Sequence, residues 1–372
     1  MFKPKRVLLL YISILSGHHR AALAVEKALK YFNPDTEVFG INAFNYTNPI
    51  LEKVINGTYN GIIKRTPEVW EYLYDNPKIV KNSQRLKDMM HRFNSAKMKS
   101  LIEDFNPDVI ACTQAFPCGM VADYKTSFNK NIPLVGILTD FYPHSYWVYE
   151  AVDKYVVASS DAKVKLIENG VSPEKIEVFG IPIDRRFGVK EDHRALFKKL
   201  ELDPTSKTVL VMGGSGGWGP IKKILVLLDR IKADIQTIVV TGTNNKLYNN
   251  IQKKTKKLNK KVVVLGYCDY IDKLMSISDI IVTKPGGLTV SESLAKGLPI
   301  IIINPIPGQE AKNTEFLLSK KAAIKARNEE ELVVLVENLC SMPTKLNAMK
   351  EAAIEIGKPE AALNIAKMIL EL

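Results

Sequence analysis

Two kinds of residue in this sequence can do chemistry where they stand: glycines set just before helices, and histidines and carboxylates set just after strands. The stretch from Asp279 to Glu315, DIIVTKPGGLTVSESLAKGLPIIIINPIPGQEAKNTE, carries the first kind most clearly. It reads as a strand (Ile280 to Thr283), a glycine turn (Pro285, Gly286, Gly287), a short helix (Thr289 to Lys296), a second strand (Pro299 to Asn304) and a polar loop ending in Gln309 and Glu310. Glycines at such a turn let the backbone approach a ligand, and the N–H groups and dipole of a helix start favour an anion such as phosphate. Thr289 and Glu292 also fit a capping box, which would merely satisfy the helix's own N–H groups. Gln309 and Glu310 follow the next strand and therefore lie at the same sheet edge, where ligands of open α/β sheets sit.

A second glycine run, Gly213-Gly214-Ser215-Gly216-Gly217-Trp218-Gly219-Pro220, follows the strand Thr208 to Met212 and leads into a helix from Ile221. It lacks the Gly-Lys-Ser/Thr of a Walker loop, so it reads either as a backbone cradle for a phosphate or as a flexible hinge. His18 and His19 stand at a strand-to-helix turn, and Asp140 stands just after the strand Leu134 to Leu138. A histidine there can take a proton or merely cap a helix, and an aspartate there can be an Asx cap.

The elements that must position these residues follow from periodicity. Val7 to Ile14 is a short apolar run of the kind buried in a parallel sheet; Ala21, Ala24, Val25, Ala28, Leu29 and Phe32 then recur at helical spacing. Further strands are expected at Asp108 to Thr113, Tyr155 to Ala158, Thr237 to Val240 and Val262 to Leu265. Strands alternating with helices make an α/β protein of parallel sheets. With 372 residues, 46% apolar and 25% charged, the chain is long enough for two domains. The expected division is 1–187, a linker at 188–207, 208–345, and C-terminal helices at 346–372.

A net charge of +12 points to an anionic partner without choosing among nucleic acid, a membrane surface and a phosphorylated substrate. From Leu51 to Ser100 ten Lys and Arg stand against five Asp and Glu, mixed with Trp70, Tyr72 and Tyr74. That texture fits either ordinary amphipathic helices or a face lying among lipid headgroups. No apolar run approaches the roughly 18 residues of a membrane span, so any membrane contact is expected to be peripheral. The four cysteines, Cys112, Cys118, Cys268 and Cys340, form neither a disulfide framework nor a zinc cluster, which suits a cytosolic setting.

The run KPGG-x-T-x-x-E, then an apolar strand, then P-x-P-GQE, resembles the nucleotide-sugar site of glycosyltransferase family 28, within it the monogalactosyl- and diglucosyl-diacylglycerol synthases. Ser-Gly-His-His-Arg-Ala-Ala is similar to the family's N-terminal motif, with Ile14 and Leu15 where relatives often carry glycines. The resemblance implies a GT-B fold, two Rossmann-like domains facing across a cleft, the last helix crossing back to the first domain. It implies His18 as general base, Asp140 as acceptor-facing or base-orienting, and Gly214, Ser215, Gly216 and Gly217 closing over the diphosphate. Asn244 and Tyr267 would join the nucleotide site, with Tyr267 over the uracil. Gly286, Gly287, Thr289 and Lys284 would hold the diphosphate, Glu292 the ribose, and Gln309 and Glu310 the sugar hydroxyls. Trp70, Tyr72, Lys78, Lys81 and Arg85 would form the acceptor and membrane face.

The activity so implied is inverting transfer of glucose or galactose from a UDP-sugar to diacylglycerol or a glycosyl-diacylglycerol, at the inner face of the cell membrane. No cofactor and no metal are expected, since no Asp-x-Asp occurs, and no nucleic-acid partner. Three alternatives share parts of the motif set. An N-acetylglucosaminyl transferase would need a polyprenyl-diphosphate lipid, an epimerase no lipid at all, and a non-catalytic UDP-sugar sensor would bind without turnover.

Overall fold

The computed structural model describes residues 2–13, 16–47, 97–189 and 193–372. Ile14, Leu15 and the membrane-face residues Trp70, Tyr72, Lys78, Lys81 and Arg85 lie outside them. The chain divides into two compact units. The first comprises Met1–Arg185 with Ile306–Gln309 and Glu360–Leu372; the second comprises Arg186–Pro305 with Glu310–Pro359.

The first unit is built on a parallel sheet of order β2-β1-β3-β4-β5-β6. Its strands are β1 (Arg6–Tyr11), β2 (Glu37–Asn42), β3 (Val109–Cys112), β4 (Leu134–Ile137), β5 (Lys154–Val156) and β6 (Ile176–Glu177). Val7 to Leu10 and all of β3 and β4 are buried, as strands covered on both faces must be. The helix α1 (Gly17–Phe32) turns its small-residue face, Ala24, Val25, Ala28 and Leu29, onto β1 and onto the chain's last helix, Ala361–Glu371. Ile365 and Ile369 of that last helix are fully buried there, each contributing roughly 1.5–3 kcal/mol. The last helix thus shares one core with α1 and the first sheet.

The second unit has a parallel sheet of order β12-β11-β10-β7-β8-β9. These strands are β7 (Lys207–Met212), β8 (Ile235–Val240), β9 (Val262–Leu265), β10 (Ile280–Thr283), β11 (Ile300–Ile302) and β12 (Ala323–Lys325). Among the helices that open at its carboxyl edge are α2 (Ile221–Leu228), α3 (Asn245–Thr255), α4 (Gly287–Ala295) and α5 (Gln309–Ser319). The strand order reverses beside the first strand in each sheet, between β1 and β3 in one and between β7 and β10 in the other. Such switch points open a crevice outside the strand ends, the usual place for a ligand in open α/β sheets.

Three local expectations are corrected. His18 and His19 are not in a turn but in the first turn of α1, because Ser16 caps the helix by accepting the His19 N–H. The helix after the Gly-Gly turn begins at Gly287 with Gly286 as its N-cap, which puts Thr289 inside the helix and leaves no capping box with Glu292. Gln309 and Glu310 are not in a loop; they open α5, with Glu310 in its first turn.

Candidate functional site

At the first switch point β1 delivers the chain into α1, and His18, the second residue of that helix, meets the end of β3. Its Nδ1 lies 2.9 Å from the Thr113 carbonyl oxygen and 2.9 Å from the Thr139 hydroxyl. A carbonyl can only accept, so Nδ1 carries the proton and Nε2 keeps its lone pair. The Thr113 hydroxyl in turn donates to the His18 carbonyl oxygen at 2.9 Å, fixing the backbone as well as the ring. Burial holds the His18 pKa below the ordinary histidine value, with the Thr113 carbonyl opposing that shift. The ring is therefore neutral at pH 7 and able to accept a proton.

His19 is placed differently. Its ring packs on Tyr11, with centroids 4.5 Å apart, and burial followed by the Arg20 charge lowers its pKa too. Asp140 is half-buried one residue beyond Thr139. The oxygens at Nδ1 belong to Thr113 and Thr139, neither of which the sequence reading singled out. Their contacts with His18 span 95 and 121 residues, a separation no local pattern reveals.

At the second switch point the glycine run after β7 faces the Pro285-Gly286 turn after β10. The two helices starting here, α2 at Pro220 and α4 at Gly286, have no side-chain cap. Their neighbour α3 does have one, since Asn244 accepts from the Leu247 N–H, which gives Asn244 a structural duty beside any contact with a ligand. Gly286 has an ordinary extended backbone, and a Cβ placed on it would meet open space. Nothing in the fold requires a glycine there, whereas a ligand pressed against the helix start would.

The glycine run itself has mixed reasons. A Cβ on Gly217 would come within 2.5 Å of the Thr241 carbonyl oxygen, and one on Gly242 within 2.1 Å of the Ser215 carbonyl oxygen, both at positive φ. Thr243 binds the Ser215 carbonyl oxygen through its backbone N–H at 2.9 Å and its hydroxyl at 3.1 Å. Gly217 is thus demanded by the interlocking of two loops, not by a ligand. Gly214, at φ +69°, has open space around it, Ser215 is exposed, and Gly216 lies against the Trp218 indole.

Lys284 and Glu310 form an ion pair of 2.9 Å, with both side chains largely buried. Asn313, fully buried on α5, donates to the Pro285 carbonyl oxygen at 3.0 Å and so ties the turn after β10 to the helix that carries Glu310. An apolar slot lined by Met212, Trp218, Pro220, Val282 and Ile303 also has Lys284 in its wall. Glu310, expected at the sugar hydroxyls, here neutralises Lys284. Thr289 and Glu292 lie half-buried on α4, Gly287 is buried at its start, and Tyr267 stands half-exposed beyond β9. Gln309 belongs to the first unit and opens α5. Among the described residues no group of three His, Cys, Asp or Glu gathers as metal ligands would, and no helix is long and apolar enough to cross a membrane.

Two parallel-sheet units of this kind define the GT-B class. Similar folds are those of MurG from Acinetobacter baumannii, with a TM-score of 0.66 at 16% identity covering 99% of this chain and 100% of that one, and UDP-GlcNAc 2-epimerase from Neisseria meningitidis, with a TM-score of 0.64 at 15% identity over the same shares. Residues 18–183 match the monogalactosyldiacylglycerol (MGDG) synthase family, and residues 208–367 match the glycosyltransferase family 28 C-terminal domain. The processive diacylglycerol beta-glucosyltransferase of Bacillus licheniformis is 31% identical over 349 residues, covering 93% of this chain and 90% of that protein. Its counterpart in Bacillus subtilis is 31% identical over 350 residues with the same coverage. The chain belongs to glycosyltransferase family 28, and its N-terminal half to the monogalactosyldiacylglycerol synthase family.

Proposed function

We propose that this protein transfers a hexose, with inversion, from a UDP-sugar to the hydroxyl of diacylglycerol or a glycosyl-diacylglycerol at a membrane surface. The names of its relatives favour glucose as the sugar and diacylglycerol as the acceptor. The observation that carries the reading is His18: a neutral ring whose Nδ1 proton is engaged by a carbonyl, leaving Nε2 to act as base. Nε2 takes the proton of the acceptor hydroxyl while that oxygen forms a bond to the anomeric carbon. The bond from the anomeric carbon to the diphosphate breaks at the same time, and its electron pair leaves with UDP.

The developing charge on the diphosphate is met by the uncapped start of α4, with Lys284 adding a cation once Glu310 turns to the sugar. No side-chain metal site of the Asp-x-Asp kind is needed in this scheme. Docking through the basic and aromatic stretch around Trp70 and Lys78 brings the protein to its lipid.

The direct test offers labelled UDP-glucose, UDP-galactose or UDP-N-acetylglucosamine with vesicles carrying either diacylglycerol or a polyprenyl-diphosphate lipid and separates the lipid products by thin-layer chromatography. A β-linked glucolipid made from UDP-glucose is the expected product. Binding of UDP-hexose without any lipid product would make the protein a sensor. Product only with a polyprenyl-diphosphate lipid would make it an N-acetylglucosaminyl transferase.

A further inference from the structure

The ring of His18 is held by groups that nothing in the sequence motifs assigns. We infer that Thr113 and Thr139 are positioning residues for His18, the Thr113 carbonyl setting the Nδ1–H tautomer that keeps the lone pair on Nε2 and the Thr139 hydroxyl holding the ring and its imidazolium as a second partner at Nδ1; the inference rests on His18 being the base. Both threonines are buried, Thr113 completely and Thr139 with 7% of its surface exposed. Thr113 stands just beyond the end of β3, where its N–H donates to the Leu10 carbonyl oxygen at 3.0 Å and continues the β1–β3 pairing. Its own carbonyl is thereby aimed at α1, and its hydroxyl returns to the His18 carbonyl oxygen. Two hydrogen bonds running in opposite directions between residues 18 and 113 fix the position of the imidazole.

Thr139 supplies the second oxygen at the same nitrogen. With the Thr113 carbonyl already requiring a proton on Nδ1, the Thr139 oxygen can only share that N–H as an acceptor. Moving the proton to Nε2 would leave a bare Nδ1 lone pair facing a carbonyl lone pair at 2.9 Å, so the alternative tautomer loses one bond and gains a repulsion. Both oxygens are neutral. When Nε2 takes up a proton, two dipoles stabilise the imidazolium, which leaves it acidic enough to release that proton at the end of the cycle.

The test compares Thr139→Val, which replaces the hydroxyl by a methyl group of the same shape, with Thr139→Ser, which keeps it. Thr139→Val is expected to lower kcat on the order of tenfold, with the donor KM and UDP affinity unchanged. Thr139→Ser is expected to retain most of the rate. Nitrogen NMR of labelled histidine gives a readout independent of turnover: His18 shows a protonated Nδ1 and an unprotonated Nε2 in both proteins, because the Thr113 carbonyl remains, while the valine variant's imidazolium, having lost one acceptor, gives up its proton at lower pH than in the wild type. If valine at this site unfolds the protein, Thr139→Ala is measured instead. A wild-type kcat with an unchanged His18 titration midpoint in Thr139→Val would overturn the inference, as would equal losses in the valine and serine variants. Full activity in His18→Ala would instead remove the base assignment itself, while the NMR titration would still report on the threonines.

Discussion

The two switch points of this protein share one topology and differ in what closes the helix that starts there. In the first unit Ser16 caps α1, and the space beside β3 is filled by an imidazole pinned between Thr113 and Thr139. In the second unit α2 and α4 start without side-chain caps, and Gly286 leaves open space where a Cβ would be. A capped helix start has its N–H groups satisfied and can present a neutral base; an uncapped start beside glycine keeps donors available for an anion. On the proposed function, proton transfer and diphosphate binding would fall to separate sheets, to residues at equivalent places.

The sharpest way to break that comparison is His18→Ala. Turnover should fall by roughly 10²- to 10⁴-fold, the usual cost of losing a positioned general base, measured as lipid product per unit time. Retention of a tenth of the wild-type rate or more would move the base role to His19 or Asp140. Next in size is Gly286→Val. Because the backbone there is ordinary and the space open, thermal unfolding should register about 1 kcal/mol or less from a poorer N-cap residue, whereas UDP affinity should fall at least about tenfold. Unchanged UDP binding would show that no phosphate sits on α4.

A smaller effect is expected for Glu310→Gln. Removing the negative charge leaves Lys284 free to meet phosphate, so UDP itself should bind no worse while UDP-hexose loses a severalfold advantage over UDP in calorimetry. Equal weakening of both ligands would assign Glu310 to the fold alone. The mildest prediction concerns pH. His18 must be neutral to accept a proton, and burial lowers its pKa, so activity is present above the lowered pKa and lost as pH falls through it. The acid limb of the rate profile should therefore have its midpoint below about pH 6.5. A midpoint above that value would exclude His18 as the titrating group.

Much of the frame was legible in the sequence because buried parallel strands are short apolar runs bounded by turn residues. Val262–Leu265 and Ile280–Thr283 match their expected bounds, and most of the other expected strands differ only at their ends. β2 escaped, since Glu37 to Asn42 is largely exposed and shows no alternation, and β6 and β12 are only two and three residues long. Two helix starts were misread where glycine opened the helix, because glycine suggests a turn until the cap is seen; Gly287 of α4 and Gly17 of α1, which carries His18 into its first turn, are the cases. His18 was found from its motif, but the oxygens that decide which of its nitrogens can act come from strands far away in the chain. The pairing of Lys284 with Glu310 was hidden for a similar reason, since a helix had to begin at Gln309 to bring the carboxylate round.

The claim that the two sheets divide the chemistry between them is tested most directly by titrating UDP into the wild type and His18→Ala by calorimetry. The account predicts the same affinity and enthalpy for both, in a variant that has lost its turnover. A loss of UDP affinity of about tenfold or more, equivalent to about 1.4 kcal/mol, would place His18 in the nucleotide site and contradict the division.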